Sequence, residues 1–231
     1  MPLTLAFVTL FPEFVSAWGG HSIIGRAARE GKLQIRTANP RDFCYDRHQK
    51  VDDTPFGGEP GMLIKPEPVA LAIEYLNLTG GAIVATDPTG LVFDQSVALE
   101  LAQSSSVTFL CGHYEGIDER VVARFATHRI SIGDYVLSGG ELPALVMADA
   151  IARNVPTVLG CAESLAADAF SEGILSAPNY TRPVEWRGEE VPAILRSGDH
   201  RAIAEWRKRE ALRLTLERRP DLMEAGSGNL A

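Results

Sequence analysis

Two glycine-bearing segments carry the residue types best suited to gripping a small molecule. One is Cys111-Gly-His-Tyr-Glu-Gly-Ile-Asp-Glu-Arg120 and the other is Ser131-Ile-Gly-Asp-Tyr-Val-Leu-Ser-Gly-Gly-Glu-Leu-Pro143, one element downstream. Glycine lets other groups approach the backbone closely, and a cluster of glycines is costly in entropy unless something needs it, although an isolated Gly-Gly pair would read as a surface connection. Together the segments offer bare amides and carbonyls, apolar walls (Ile132, Tyr135, Leu137, Leu142) and carboxylates. That lining suits a purine and a ribose, with a cationic group if anything charged. Neither segment is a GxxxxGK[ST] or GxGxxG phosphate loop, and the chain has no HExxH or GxSxG. P-loop, nicotinamide, zincin and α/β-hydrolase chemistries are therefore disfavoured. The five histidines are scattered and read as surface or capping residues, so no metal site is assigned.

The elements around these segments alternate in a regular way. Strands are expected at Leu3–Leu10, Leu33–Thr37, Ala82–Thr86, Val107–Cys111 and His128–Ile132. Helices are expected to open at Pro12 and to cover Ile23–Arg29, Pro66–Asn77, Gln95–Gln103, Arg120–Arg124 and Leu142–Arg153. This succession predicts an α/β fold, a mostly parallel sheet with helices on both faces. Ligands in such sheets bind beyond the carboxyl ends of the strands. A turn at Asp87–Gly90 joins the Gly112–Gly116 and Gly133–Gly140 loops there, so the three are expected to form one crevice. Residues 39–61 read as a polar loop of about twenty residues, long enough to be functional or mobile.

After Gly160 the pattern changes. Residues 1–160 are expected to form the ligand-binding domain, 161–175 a linker, and 176–231 a small helical domain. Its helix, Asp199–Leu216, is expected to place Ile203, Trp206, Leu212 and Leu216 near one face. The chain carries a net charge of −8, which alone argues against nucleic acid. Between Arg182 and Arg219, however, ten Lys and Arg face seven Asp and Glu, predicting a basic C-terminal surface on an acidic body. No long apolar run and no leader-like N-terminus occur, so a cytoplasmic protein without a membrane partner is expected. Cys44, Cys111 and Cys161 are odd in number and lack CxxC pairing, which fits a reducing compartment.

Four motifs appear together and in order: Asp52-Asp-Thr-Pro-Phe-Gly-Gly-Glu-Pro-Gly-Met62, Cys111–Val121, Ser131–Pro143 and Asn179-Tyr-Thr-Arg-Pro183. They closely resemble the bacterial tRNA (guanine-N1)-methyltransferase family, a knotted SPOUT-class group, from near residue 1 to about Leu222. The resemblance implies a deep trefoil knot, which general topology rules treat as a rare exception. It implies methylation of N1 of guanosine 37, just 3′ of the anticodon in tRNA, by an obligate homodimer using S-adenosylmethionine. The cofactor contacts it implies are Pro88, Gly90, Gly112, Tyr114, Glu115, Gly116, Ile132, Gly133, Asp134, Tyr135, Val136, Leu137, Gly139, Gly140 and Pro143. It also implies that Asp168 is the general base and that Arg153 stabilises O6. A magnesium requirement follows from it too, with Glu115 a candidate ligand.

Without that resemblance, Asp168 reads as a helix N-cap or solvated acid and Arg153 as a helix-dipole partner. Tyr135 and Trp206 read as core residues, and Arg207-Lys-Arg209 as a solvated face. The chain departs from the family pattern at Glu59 (usually glycine), Ala85 (commonly tyrosine), Asp87 (customarily serine) and Ala169 (frequently serine). A knotted methyltransferase acting on another RNA, or a silent RNA- or adenosine-binding module, are the alternative functions.

Overall fold

The N-terminal apolar run forms β1 (Leu3–Val8), buried along its whole length. In chain order there follow α1 (Pro12–Gly19), α2 (Ser22–Arg29), β2 (Leu33–Ala38), two-residue strands β3 (Asp52–Asp53) and β4 (Leu63–Ile64), and α3 (Pro66–Leu76). Next come β5 (Ala82–Val92), α4 (Gln95–Leu101), β6 (Ser106–Leu110), α5 (Glu119–Phe125), β7 (His128–Ser131) and α6 (Glu141–Arg153). The computed structural model describes residues 2–58, 60–159, 169–170 and 173–225. Glu59, Cys161, Asp168 and most of the expected 161–175 linker lie outside the described residues.

The main sheet has the order β2-β1-β6-β5-β7, and every neighbouring pair is parallel. Side chains alternate across a strand. Leu3, Leu5 and Phe7 accordingly pack on one face with Val15, Ile24, Ala98 and Ala148, from α1, α2, α4 and α6. Ala6 and Val8 pack on the other face with Val69, Ala72 and Val121, from α3 and α5. Helices thus cover both faces, as the alternation predicts. Phe7 is fully buried, stacked on Phe109 at 5.2 Å and edge-on to Trp18 at 6.1 Å.

Three expectations need correction. Asp87–Gly90 is not a turn that ends a strand; it lies inside β5. Both Thr86 and Leu91 pair with Ile130 of β7, so the intervening residues bulge out and the chain returns to the same partner. The 39–61 stretch is also less irregular than its composition implies. It contains a 3-10 turn at Pro40–Phe43, capped by the Asn39 side chain, and β3, which pairs antiparallel with β4.

The described residues divide into two compact units, Met1–Gly160 and Cys161–Ala231. The second contains a hairpin of β8 (Glu185–Trp186) and β9 (Glu189–Glu190) and two helices, α7 (His200–Arg218) and α8 (Asp221–Ala225). Arg187 and Gly188 both have positive φ, as a two-residue hairpin turn requires. Here lies the third correction. Leu212 and Leu216 are exposed, whereas Ala211, Leu214 and Thr215 are buried. At about 100° per residue Leu214 falls within about 20° of Ile203, whereas Leu212 and Leu216 fall on the far side of the helix from it. The Thr215 hydroxyl accepts the Leu175 amide at 3.0 Å within this unit. Among the described residues no helix is long and apolar enough to cross a membrane.

Phe7→Ala is expected to cost about 3–5 kcal/mol of unfolding free energy by urea titration. A loss below about 1 kcal/mol would contradict the close packing of this core.

Candidate functional site

Strands β6, β5 and β7 are adjacent and parallel, so the loops that follow or interrupt them gather at one edge of the sheet. They enclose a cavity of about 240 Å³. Of the expected contact residues, Pro88, Gly112, Tyr114, Glu115, Gly116, Ile132, Gly133, Tyr135, Val136, Leu137, Gly139, Gly140 and Pro143 line it. Gly90 does not. A Cβ there would strike the backbone of Arg129 and Ile130, so this glycine serves the close approach of β5 to β7. Asp134 is exposed and is also absent from the lining. Thr86, Asp87, His113, Ile130, Ser131 and Ser138 line the cavity without having been singled out as contacts.

The loops are fastened to one another through backbone. The Gly140 amide donates to the Gly112 carbonyl at 2.7 Å, and His113 pairs with Gly139 in an isolated antiparallel bridge. A Cβ on Gly140 would come within 2.8 Å of both Cys111 Cα and the Gly112 nitrogen. The Thr86 hydroxyl donates to the Leu110 carbonyl at 3.0 Å, tying β5 to the end of β6. Ser131 closes its own loop, its hydroxyl donating to the Gly133 carbonyl and accepting the Gly133 amide. The Glu115 amide donates to the Met62 carbonyl and the Ile64 amide to the Gly116 carbonyl, so the stretch directly after the long polar segment also reaches the cavity wall. Tyr114 sits at φ 61°, an unusual conformation for a bulky residue and one that clusters at functional sites.

The charges are equally specific. Among the described residues no lysine or arginine lines the cavity, whereas Asp87 and Glu115 do. Asp87 Oδ1 accepts from the Thr89 amide and hydroxyl, both at 2.8 Å. Its Oδ2 lies 3.5 Å from Arg129 Nε, and Glu119 holds the same guanidinium at 2.6 Å. The departure from serine at position 87 is thus built into an acid–base cluster of this chain. Asp118 caps α5, and its carboxyl is held below the usual range by the Arg120 side chain and then by the Arg120 amide. Burial pushes the Cys111 thiol well up, so it is an inert core residue rather than a nucleophile.

Sequence reasoning passed over Thr9, His113 and Glu141. Glu141 is 5% exposed, accepts the Thr9 hydroxyl at 2.6 Å and lies 2.6 Å from His113 Nε2. A carboxylate opening an apolar helix directly after Gly-Gly was a usable signal; Thr9, far back along the chain, was not.

Arg153 closes α6 at the end opposite the cavity. Twelve helical steps separate it from Glu141, about 18 Å along the axis. Within one chain the structure therefore does not bring Arg153 to the cavity, and Asp168 lies outside the described residues. Among the described residues no group of three metal-ligating side chains is present.

A family model described as tRNA (Guanine-1)-methyltransferase TrmD matches residues 3–225. Curated proteins named tRNA (guanine-N(1)-)-methyltransferase are similar over nearly the whole chain. The one from Frankia alni is 50% identical, covering 94% of this chain and 83% of its own length. That from Dehalococcoides mccartyi is 48% identical, with 94% and 89% covered. That from Staphylococcus aureus is 47% identical, with 96% and 91% covered.

Gly140→Ala is expected to lower stability by about 1–3 kcal/mol in chemical denaturation, because the new methyl meets backbone that cannot yield. An unchanged midpoint would mean that the two loops are not packed as described. Asp118→Ala is expected to cost about 1 kcal/mol near neutral pH. The folded carboxyl is depressed, so the ionised cap stabilises above the ordinary carboxylate range and its contribution is lost as pH falls through the depressed value. Wild type and variant should therefore converge in acid, and a gap that persists or widens there would refute the assignment.

Proposed function

We infer the function from one premise: the chain belongs to the tRNA (guanine-1)-methyltransferase family, and is an enzyme that methylates guanine N1 in tRNA. We propose guanosine 37, 3′ of the anticodon, as its target and the three-loop cavity as the seat of S-adenosylmethionine. The observation that carries this reading is the composition of the lining. Backbone and apolar walls with two carboxylates and no lysine or arginine suit a purine nucleoside bearing a sulfonium. A phosphate-bearing cofactor would lack basic partners there.

S-adenosylmethionine supplies an electrophilic methyl on sulfur that needs no further activation. The residues have to deal with the nucleophile. Guanine N1 carries a proton, becomes nucleophilic on losing it, and gathers negative charge on O6. We assign that proton to the Asp168 carboxylate and the developing charge on O6 to the Arg153 guanidinium. The deprotonated N1 would thereby face the methyl, which bound S-adenosylmethionine would give up as it leaves as a neutral thioether. Magnesium commonly uses one or two carboxylates with water and substrate, and Glu115 on the cavity wall would supply one.

A homodimer is part of the proposal. An arginine about 18 Å along α6 from the cavity cannot serve its own chain's site. It can serve the partner's if two copies pack through α1 and α6. Phe14, Leu142 and Val146 leave an apolar face exposed on those helices. The knot, a cytoplasmic location and tRNA binding by residues 176–231 complete the reading. In the last of these, exposed Arg207, Lys208 and Arg209 meet the phosphate backbone.

Asp168→Ala is expected to abolish transfer while leaving cofactor binding intact; undiminished transfer would exclude Asp168 as the base. Mixed subunits test the shared site. Val136→Trp, which obstructs the cavity, and Arg153→Ala should each be inactive alone. Dimers reassembled from both should recover about a quarter of wild-type activity, from the one intact composite site in each mixed dimer. No recovery would place Arg153 in its own chain's site or outside the reaction.

A further inference from the structure

Glu141 is a buried carboxylate for which the proposed chemistry has no use. It is the first residue of α6, directly after Gly139 and Gly140 of the cavity wall. One oxygen accepts the hydroxyl of Thr9, just past the end of β1, and the same hydroxyl accepts the Phe11 amide at 2.9 Å, where α1 begins. The other oxygen meets His113 Nε2 at 2.6 Å. The His113 ring lies 4.9 Å from that of Phe11 and occupies the space that a Cβ on Gly139 would need. Burying a carboxylate is costly unless it is fully partnered, and here both oxygens are engaged at a helix N-terminus that favours negative charge. One group therefore joins three separate segments: the end of β1, the loop after β6 and the glycine wall before α6.

We propose that Glu141, acting through His113 and anchored by Thr9, is a positioning residue that sets the gap between the Gly112–Gly116 and Gly133–Gly140 walls and so governs cofactor affinity. The proposal rests on the cavity being the S-adenosylmethionine site. His113 faces the cavity while Glu141 stands behind it, so the pair shapes the walls rather than touching the methyl or guanine N1. Losing it lets the His113 ring leave Gly139 and relaxes one wall. Binding then weakens, and the chemical step at saturating cofactor is spared.

The test uses the full-length enzyme with calorimetric titration of S-adenosylmethionine, steady-state methyl transfer to tRNA, and circular dichroism to establish folding. Glu141→Gln and Thr9→Val are expected to raise the cofactor Kd and KM about tenfold, as loss of a hydrogen bond to a charged group implies. They should leave kcat at saturating cofactor within about twofold, and Thr9→Ser, which keeps the hydroxyl, should restore affinity. Thr9→Val removes one hydroxyl only and carries the test if Glu141→Gln does not fold. Folded variants with wild-type Kd, or with kcat reduced at unchanged Kd, would overturn the proposal while leaving the cavity assignment standing. A wild-type enzyme that binds no S-adenosylmethionine would remove both.

Discussion

The approach of two backbones at Gly112 and Gly140 is the constraint on which the site depends. A 2.7 Å hydrogen bond joins the loop after β6 to the loop after β7, and a side chain on Gly140 would collide with Cys111 and Gly112. The contact is possible because β6, β5 and β7 are parallel neighbours, which delivers both loops to the same edge of the sheet. The sheet in turn holds its register because β1 and β6 are buried on both faces, under α1, α2, α4 and α6 on one side and α3 and α5 on the other. Core packing, strand order and cavity walls form one chain of dependence.

Electrostatics then selects what the cavity can take. Asp87 and Glu115 bring negative charge to its lining, and among the described residues no basic side chain answers them there. Arg129, held between Asp87 and Glu119, keeps the β5 bulge in shape from behind rather than from within. On the opposite wall Glu141 stands behind His113, which itself lines the cavity. Under the proposed function such a site would hold its ligand by shape and backbone, and the proton chemistry would fall to Asp168 and Arg153.

Much of this was legible in the sequence because it depends on short-range pattern. The five strands of the main sheet follow from their apolar runs, and Pro12 and Pro66 mark helix starts. The glycine loops were expected to form one crevice, and they line one cavity. The rest depends on contacts between distant residues. The bulge at Asp87–Gly90 exists because β7 accepts both Thr86 and Leu91 at Ile130, which no local pattern reveals. The outward turn of Leu212 and Leu216 shows apolar character losing to helical geometry once Ala211, Leu214 and Thr215 take the buried face. The Thr9–Glu141 contact joins two ends of the first unit. The separation of Arg153 from the cavity, by contrast, was implicit in the expected Leu142–Arg153 helix, which α6 matches within one residue.

The most direct measurement of whether this cavity carries out guanine-N1 methylation is transfer of a labelled methyl from S-adenosylmethionine to tRNA transcripts, followed by mass mapping of the modified nucleoside. Transcripts with guanosine 37 are expected to gain one methyl at N1 of that base, and transcripts with another base at position 37 to gain none. Methylation at a different position, or equal transfer to both transcripts, would contradict the assignment.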